Sequence, residues 1–176
     1  TAGVLLGAGG HLEVTRLLCR AGADANRVDF WNRTAMIAAS FAGHAKVVQL
    51  LCQAGADRDL PDVRGATPLI EAAKRGHMEV ARLLCEGGAG KDKADGNGST
   101  ALMWAASGGH VEVVRFLLEV GAAKDQLGTS GRSALMWASQ SGQEEVVRVL
   151  CEAGVDKSAV DMEGNTALAL AKKDTD

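Results

Sequence analysis

The chain has 176 residues, with 19 Lys and Arg against 22 Asp and Glu, so its net charge of −3 is mild and the signs are interspersed. That pattern lacks the concentrated basic face of a nucleic-acid binder, and no apolar run approaches the roughly 18 residues that a bilayer-crossing helix needs. Thr1 to Gly10 is apolar but has no basic leader, so it does not read as a signal peptide. Two prolines and no tyrosine make a composition that repetition would explain.

Repetition is present. The pair Gly10-His11 returns as Gly43-His44, Gly76-His77 and Gly109-His110, then as Gly142-Gln143, each step being 33 residues. The same step relates Gly22, Gly55, Gly88, Gly121 and Gly154, and also Thr1, Thr34, Thr67, Thr100, Ser133 and Thr166. No insertion breaks the phase. From Asp62 onward one repeat reads Asp62, Gly65, Thr67-Pro68-Leu69, Ala72-Ala73, Gly76-His77, Val80, Leu83-Leu84, Gly88-Ala89. This wording closely resembles the ankyrin repeat, a β-turn followed by two helices. The resemblance covers essentially the whole chain. It implies an all-α repeat solenoid, an array of stacked antiparallel helix pairs with projecting β-turns, and a groove for protein partners lined by the turns and first helices.

In chain order, residues 1–28 are the remainder of an earlier repeat, whose Gly-rich first helix over Thr1 to Gly10 should fray. Four full repeats follow at 29–61, 62–94, 95–127 and 128–160, and 161–176 supply the turn and first helix of a last one, all within a single array over 1–176. In each repeat Thr or Ser caps the first helix and Pro68, where present, takes a position whose missing N–H is harmless. The spacing predicts helices over 67–74 and 78–86 in the second full repeat, with Gly76 ending the first and Gly88 the second. Val80, Leu83 and Leu84 form the apolar stripe of the second helix. Where the family has His after Thr-Pro-Leu, this chain has Ile37, Ile70, Met103, Met136 and Ala169, which trades a local hydrogen bond for apolar packing. Lys172 and Lys173 suit a polar terminal cap. A start in mid-repeat without Met reads as a fragment, a processed form or part of something longer.

Chemistry-bearing residues yield to the register. Equivalent positions in adjacent repeats should lie roughly 10 Å apart, too far for histidines to share a metal at about 2 Å or for cysteines to meet the ~7 Å Cα limit of a disulfide. Cys19, Cys52, Cys85 and Cys151 share a slot that Leu118 fills in the other repeat, so they read as small buried hydrophobes. Free thiols favour an intracellular, reducing compartment, the cytoplasm before an organelle. Glu79/Arg82, Glu112/Arg115 and Glu145/Arg148 read as exposed i,i+3 pairs. No nucleophile, base and orienting group converge, so neither catalysis nor a cofactor or metal is expected.

What varies between repeats carries specificity. The variable turn sets run over 30–33, 63–66, 96–99 and 129–132, and the variable first-helix sets are Ala38/Phe41/Ala42, Glu71/Lys74/Arg75, Trp104/Ser107/Gly108 and Trp137/Gln140/Ser141. Five of the six aromatic residues fall in these sets, and the sixth, Phe116, replaces a core Leu. Interface cores favour Trp, Phe and Arg. The candidate protein-binding residues are Phe30, Trp31, Arg33, Phe41, Arg64, Lys74, Arg75, Trp104, Arg132, Trp137 and Gln140. Trp104 and Trp137 are equally readable as packing between first helices. A row through these sets would form a stripe of about 30–40 Å at the spacing of packed helices. The reading is an adaptor or scaffold that binds one or more proteins, with no nucleic acid and no direct membrane insertion. Its alternatives are a regulatory or docking arm of a longer enzyme or channel, and a structural subunit of a large assembly. The wording of 101–106 is similar to arrays plentiful in unicellular algae.

Overall fold

Each repeat begins with a hydroxyl that starts a helix. In a computed structural model, which describes residues 7–172, Thr34, Thr100 and Ser133 adopt extended backbone and accept from the N–H three residues on, at 3.2, 3.4 and 3.3 Å. Thr67 does the same for Ile70 at 3.3 Å. One donor left open by the helix start is thereby satisfied. The helices are α1 (Leu12–Arg20), α2 (Ala35–Ala42), α3 (Ala45–Gln53), α4 (Pro68–Lys74), α5 (Met78–Glu86), α6 (Ala101–Ser107), α7 (Val111–Glu119), α8 (Ala134–Gln140), α9 (Glu144–Glu152) and α10 (Ala167–Lys172). Among the described residues there is no strand, only an isolated bridge between Ala94 and Thr100. The expected fraying over Thr1 to Gly10 falls mostly on residues 1–6, and the expected cap on the side chains of Lys172 and Lys173; both lie outside what is described.

The described residues form two compact units, one of 7–72 and 77–90 and one of 73–76 and 91–172. In the first unit α2 pairs with α3, and the second helices α1, α3 and α5 pack in succession. In the second unit α6 pairs with α7 and α8 with α9, the first helices α6, α8 and α10 pack in succession, and α7 packs on α9. The cores repeat the register: Val47 and Leu51, Val80 and Leu84, Val113 and Leu117, and Val146 and Leu150 are all buried. Ile37, Ile70, Met103 and Met136 are buried too, so the expected trade of a polar side chain for packing is realised in four repeats.

The recurring His joins successive repeats. Nε2 of His44 lies 3.0 Å from the Ala8 carbonyl and that of His77 lies 3.1 Å from the Phe41 carbonyl in the first unit. In the second, His110 meets the Lys74 carbonyl at 3.1 Å and Gln143 donates to that of Ser107 at 3.4 Å. This geometry explains the preceding glycine. Gly76 has φ +72°, and a Cβ on it would meet the His110 ring at 2.5 Å, so both the left-handed backbone and the stacked ring require Gly there.

Three expectations need correction. The four cysteines form no disulfide and are half-buried rather than core. Phe116 is likewise half-buried. Arg115 reaches past the expected i,i+3 partner: its Nη2 meets Glu145 on the next second helix at 3.1 Å, whereas Arg82–Glu79 and Arg148–Glu145 keep the expected spacing.

Candidate protein-binding surface

In the first unit the turn at 29–33 is built around one carboxylate. Asp29 Oδ1 accepts the N–H groups of Trp31 and Arg33, both at 2.9 Å, while Arg33 grips Oδ2 through Nε at 2.9 Å and Nη2 at 2.7 Å. Burial raises the Asp29 carboxyl, but hydrogen bonds from the Arg33 side chain and from the Arg33 and Trp31 backbone, with the Arg33 charge, hold it below its ordinary value. Asn32 takes φ 57°, a conformation Asn tolerates better than most residues, and its Nδ2 donates to the Pro61 carbonyl at 2.7 Å. The Val63 N–H donates to the Trp31 carbonyl at 3.0 Å, which ties this turn to the next.

On that fixed frame the apolar side chains have no core to enter. Phe30 is 91% exposed, Trp31 55% and Val63 63%. The Phe30 and Trp31 rings meet edge to face at 5.9 Å, and the Arg33 guanidinium lies 4.7 Å from the centre of the Trp31 ring. Arg64 bridges Asp62 Oδ2, at 3.1 Å, and Glu71 Oε1, at 3.1 Å. Trp31, Arg33, Asp62, Val63 and Arg64 line an open cavity of about 380 Å³. Phe41 is exposed at the end of α2.

In the second unit the tryptophans are tied down. Asp95 Oδ1 accepts from the Asn97 and Ser99 N–H groups at 2.9 and 3.0 Å, and Oδ2 accepts the Trp104 indole N–H at 2.9 Å. Lys74 Nζ sits 3.9 Å from the centre of the Trp104 ring, within cation–π range. One repeat later Gly128 stands where Asp95 would be, and among the described residues the Trp137 indole N–H has no acceptor. Arg132 lies 5.2 Å from the Trp137 ring centre and donates to Gln140 Oε1 at 2.7 Å and to Asp161 Oδ2 at 3.2 Å. Burial raises the Asp161 carboxyl, yet hydrogen bonds from Asn165, Glu163 and Arg132 leave it below its ordinary value. Ser99, Met103, Trp104, Ser107 and Trp137 line a slot of about 70 Å³.

The predicted residues therefore fall into two groups: Phe30, Trp31, Arg33, Phe41 and Arg64 in the first unit, and Lys74, Arg75, Trp104, Arg132, Trp137 and Gln140 in the second. The first position of the variable helix sets is not open surface. Ala38 is buried, Glu71 is 3% exposed and Trp104 and Trp137 are half-buried. Phe41 and Arg75, three or four residues on, are exposed. Val63 was absent from the predicted set; its signal was a large apolar residue at a turn tip.

A family model for ankyrin repeats matches the chain in three copies, over residues 5–95, 87–161 and 123–174. The chain belongs to the ankyrin-repeat family. Ankyrin repeats are generally protein–protein interaction modules, and the family is typically non-catalytic. Comparison with curated proteins finds no match to this ankyrin chain. Among the described residues no helix is long and apolar enough to cross a membrane.

Proposed function

We propose that this ankyrin array works as an adaptor or scaffold that holds a protein partner through its turns and first helices, with Phe30, Trp31 and Val63 as the anchor. One observation carries the reading. Three large apolar side chains are held outward on turns whose backbone is fixed by Asp29, by Asn32 and by the Val63-to-Trp31 hydrogen bond. Ordering such side chains costs little on binding because the frame is already set. Arg33 and Arg64 rim the patch as donors for a partner's carbonyls or carboxylates.

The test is affinity purification with mass spectrometry to name a partner, followed by titration with variants. Trp31→Ala is expected to weaken binding by about 2 kcal/mol or more, as anchors do, with melting unchanged. Arg82→Ala, on a second helix, should bind normally. Normal binding by Trp31→Ala, or loss of binding by Arg82→Ala alone, would reverse the assignment of faces.

A further inference from the structure

The second unit offers a separate, more selective feature. Its 70 Å³ slot is lined by Met103, the two Trp rings and the small residues Ser99 and Ser107. A cavity of about 150 Å³ accommodates benzene, so this one suits the tip of a Val, Leu or Ile side chain. Trp137 lines the slot, and among the described residues its indole N–H has no acceptor, Gly128 standing at the position of the carboxylate that engages Trp104 one repeat earlier.

The charges around the slot have one sign to spare. Asp95 is engaged by two backbone N–H groups and the Trp104 indole, and Asp161 by Asn165, Glu163 and Arg132. Lys74 lies over the Trp104 ring with no carboxylate partner among the described residues, and α6 and α8 bring no charged residue of their own. The two rings that line the slot each carry a cation, Lys74 over Trp104 and Arg132 over Trp137, while the carboxylates named above are already engaged, so a carboxylate near the slot would meet net positive charge.

Resting on the protein-binding reading above, we propose that the Trp104–Trp137 slot takes an aliphatic side chain of a partner segment whose flanking residues are acidic. The slot supplies shape, and Lys74 with the Trp137 N–H supplies selection for negative charge. This contact is independent of the Phe30–Trp31 turn patch.

The experiment is selection of a random displayed peptide library against the full chain, with synthetic copies of the enriched peptides titrated against variants. Enriched sequences are expected to place Val, Leu or Ile beside Asp or Glu. Their binding should fall on the order of tenfold with Trp137→Phe, which keeps a ring but removes the donor, and with Lys74→Gln, as loss of a charge-assisted hydrogen bond implies. Ser107→Leu, which fills the slot, should weaken binding at unchanged melting temperature, and added salt should weaken it further. Trp31→Ala should leave these peptides bound. The proposal is overturned if no peptide is enriched, if the enriched peptides lack the acidic and aliphatic pairing, or if Ser107→Leu and Trp137→Phe bind them normally. Peptides that depend on Trp31 instead would overturn the slot while leaving the protein-binding reading in place.

Discussion

Phe30 and Trp31 in the first unit and Trp104 and Trp137 in the second are the same kind of residue put to different physical use. At the first turn the chain folds its backbone around Asp29 and leaves the rings outside, edge to face with each other and with Arg33 over Trp31. On α6 and α8 the rings are half-buried, and a cation lies over each. An aromatic ring on a turn tip can contribute to binding without contributing much to stability; one wedged along a helix row contributes to both. Within the second unit the contrast repeats at finer scale, since Trp104 has an acceptor in Asp95 while Gly128 stands at the equivalent position for Trp137.

The most direct way to break this comparison is stability. Trp104→Ala removes a half-buried ring and leaves Asp95 Oδ2 without its donor, so a loss of about 2–3 kcal/mol is expected, short of the figure for a fully buried Trp. Trp31→Ala should stay within about 0.5 kcal/mol. Urea denaturation of both variants measures the difference, and equal losses would erase the distinction between turn and helix aromatics.

Asp95→Ala should follow at about 1–2 kcal/mol, because it strips an acceptor from two backbone N–H groups and an indole. Its mirror is Gly128→Asp. An added Cβ there meets only ordinary contacts, the nearest being the Asn97 carbonyl oxygen at 3.4 Å, so restoring the turn carboxylate should raise stability by about 0.5–1 kcal/mol. Thermal melts of the pair would sharpen the contrast between Trp104 and Trp137. A Gly128→Asp variant that melts lower would show that the turn at 128–132 is not equivalent to that at 95–99.

Acid sensitivity compares the two units through Asp29 and Asp161. Both carboxyls lie below their ordinary 3.8 when folded, so the native state binds fewer protons than the unfolded one. The stability they supply is therefore complete above about pH 3.8 and is lost as pH falls through their lowered folded values. Asp29→Asn and Asp161→Asn should each flatten the acid limb of a stability–pH curve. An unchanged limb would contradict the hydrogen-bond networks at these turns.

The smallest effect is expected at Arg82. Its contact with Glu79 is 4.0 Å between exposed side chains, and such pairs contribute under about 1 kcal/mol. Arg82→Ala should melt within a degree or two of the parent chain, as a surface change of a few tenths of a kcal/mol does. A larger drop would mean that the second-helix surface carries more of the array's stability than the turn and first-helix side.

What the sequence determined by itself was everything set by short-range geometry repeated in phase. The 33-residue step, the Thr and Ser caps, the glycine helix ends and the stripes such as Val80 and Leu84 each depend on neighbours a few residues away, and the observed α4 and α5 agree with the spacing to within a residue. The tertiary structure decided what depends on the adjacent repeat. Periodicity placed Glu71 on an outer face, but Arg64 folds over it and it is buried. Arg115 had an acid one turn away and reached Glu145 on the next helix. The cysteines had a core-like pattern and came to rest half-buried. Trp104 and Trp137 were indistinguishable in register, and only the side chain or its absence at positions 95 and 128 separated them. The reason is common to all four: a helix period gives direction around one axis, whereas burial and pairing depend on which atoms the neighbouring repeat brings to that side.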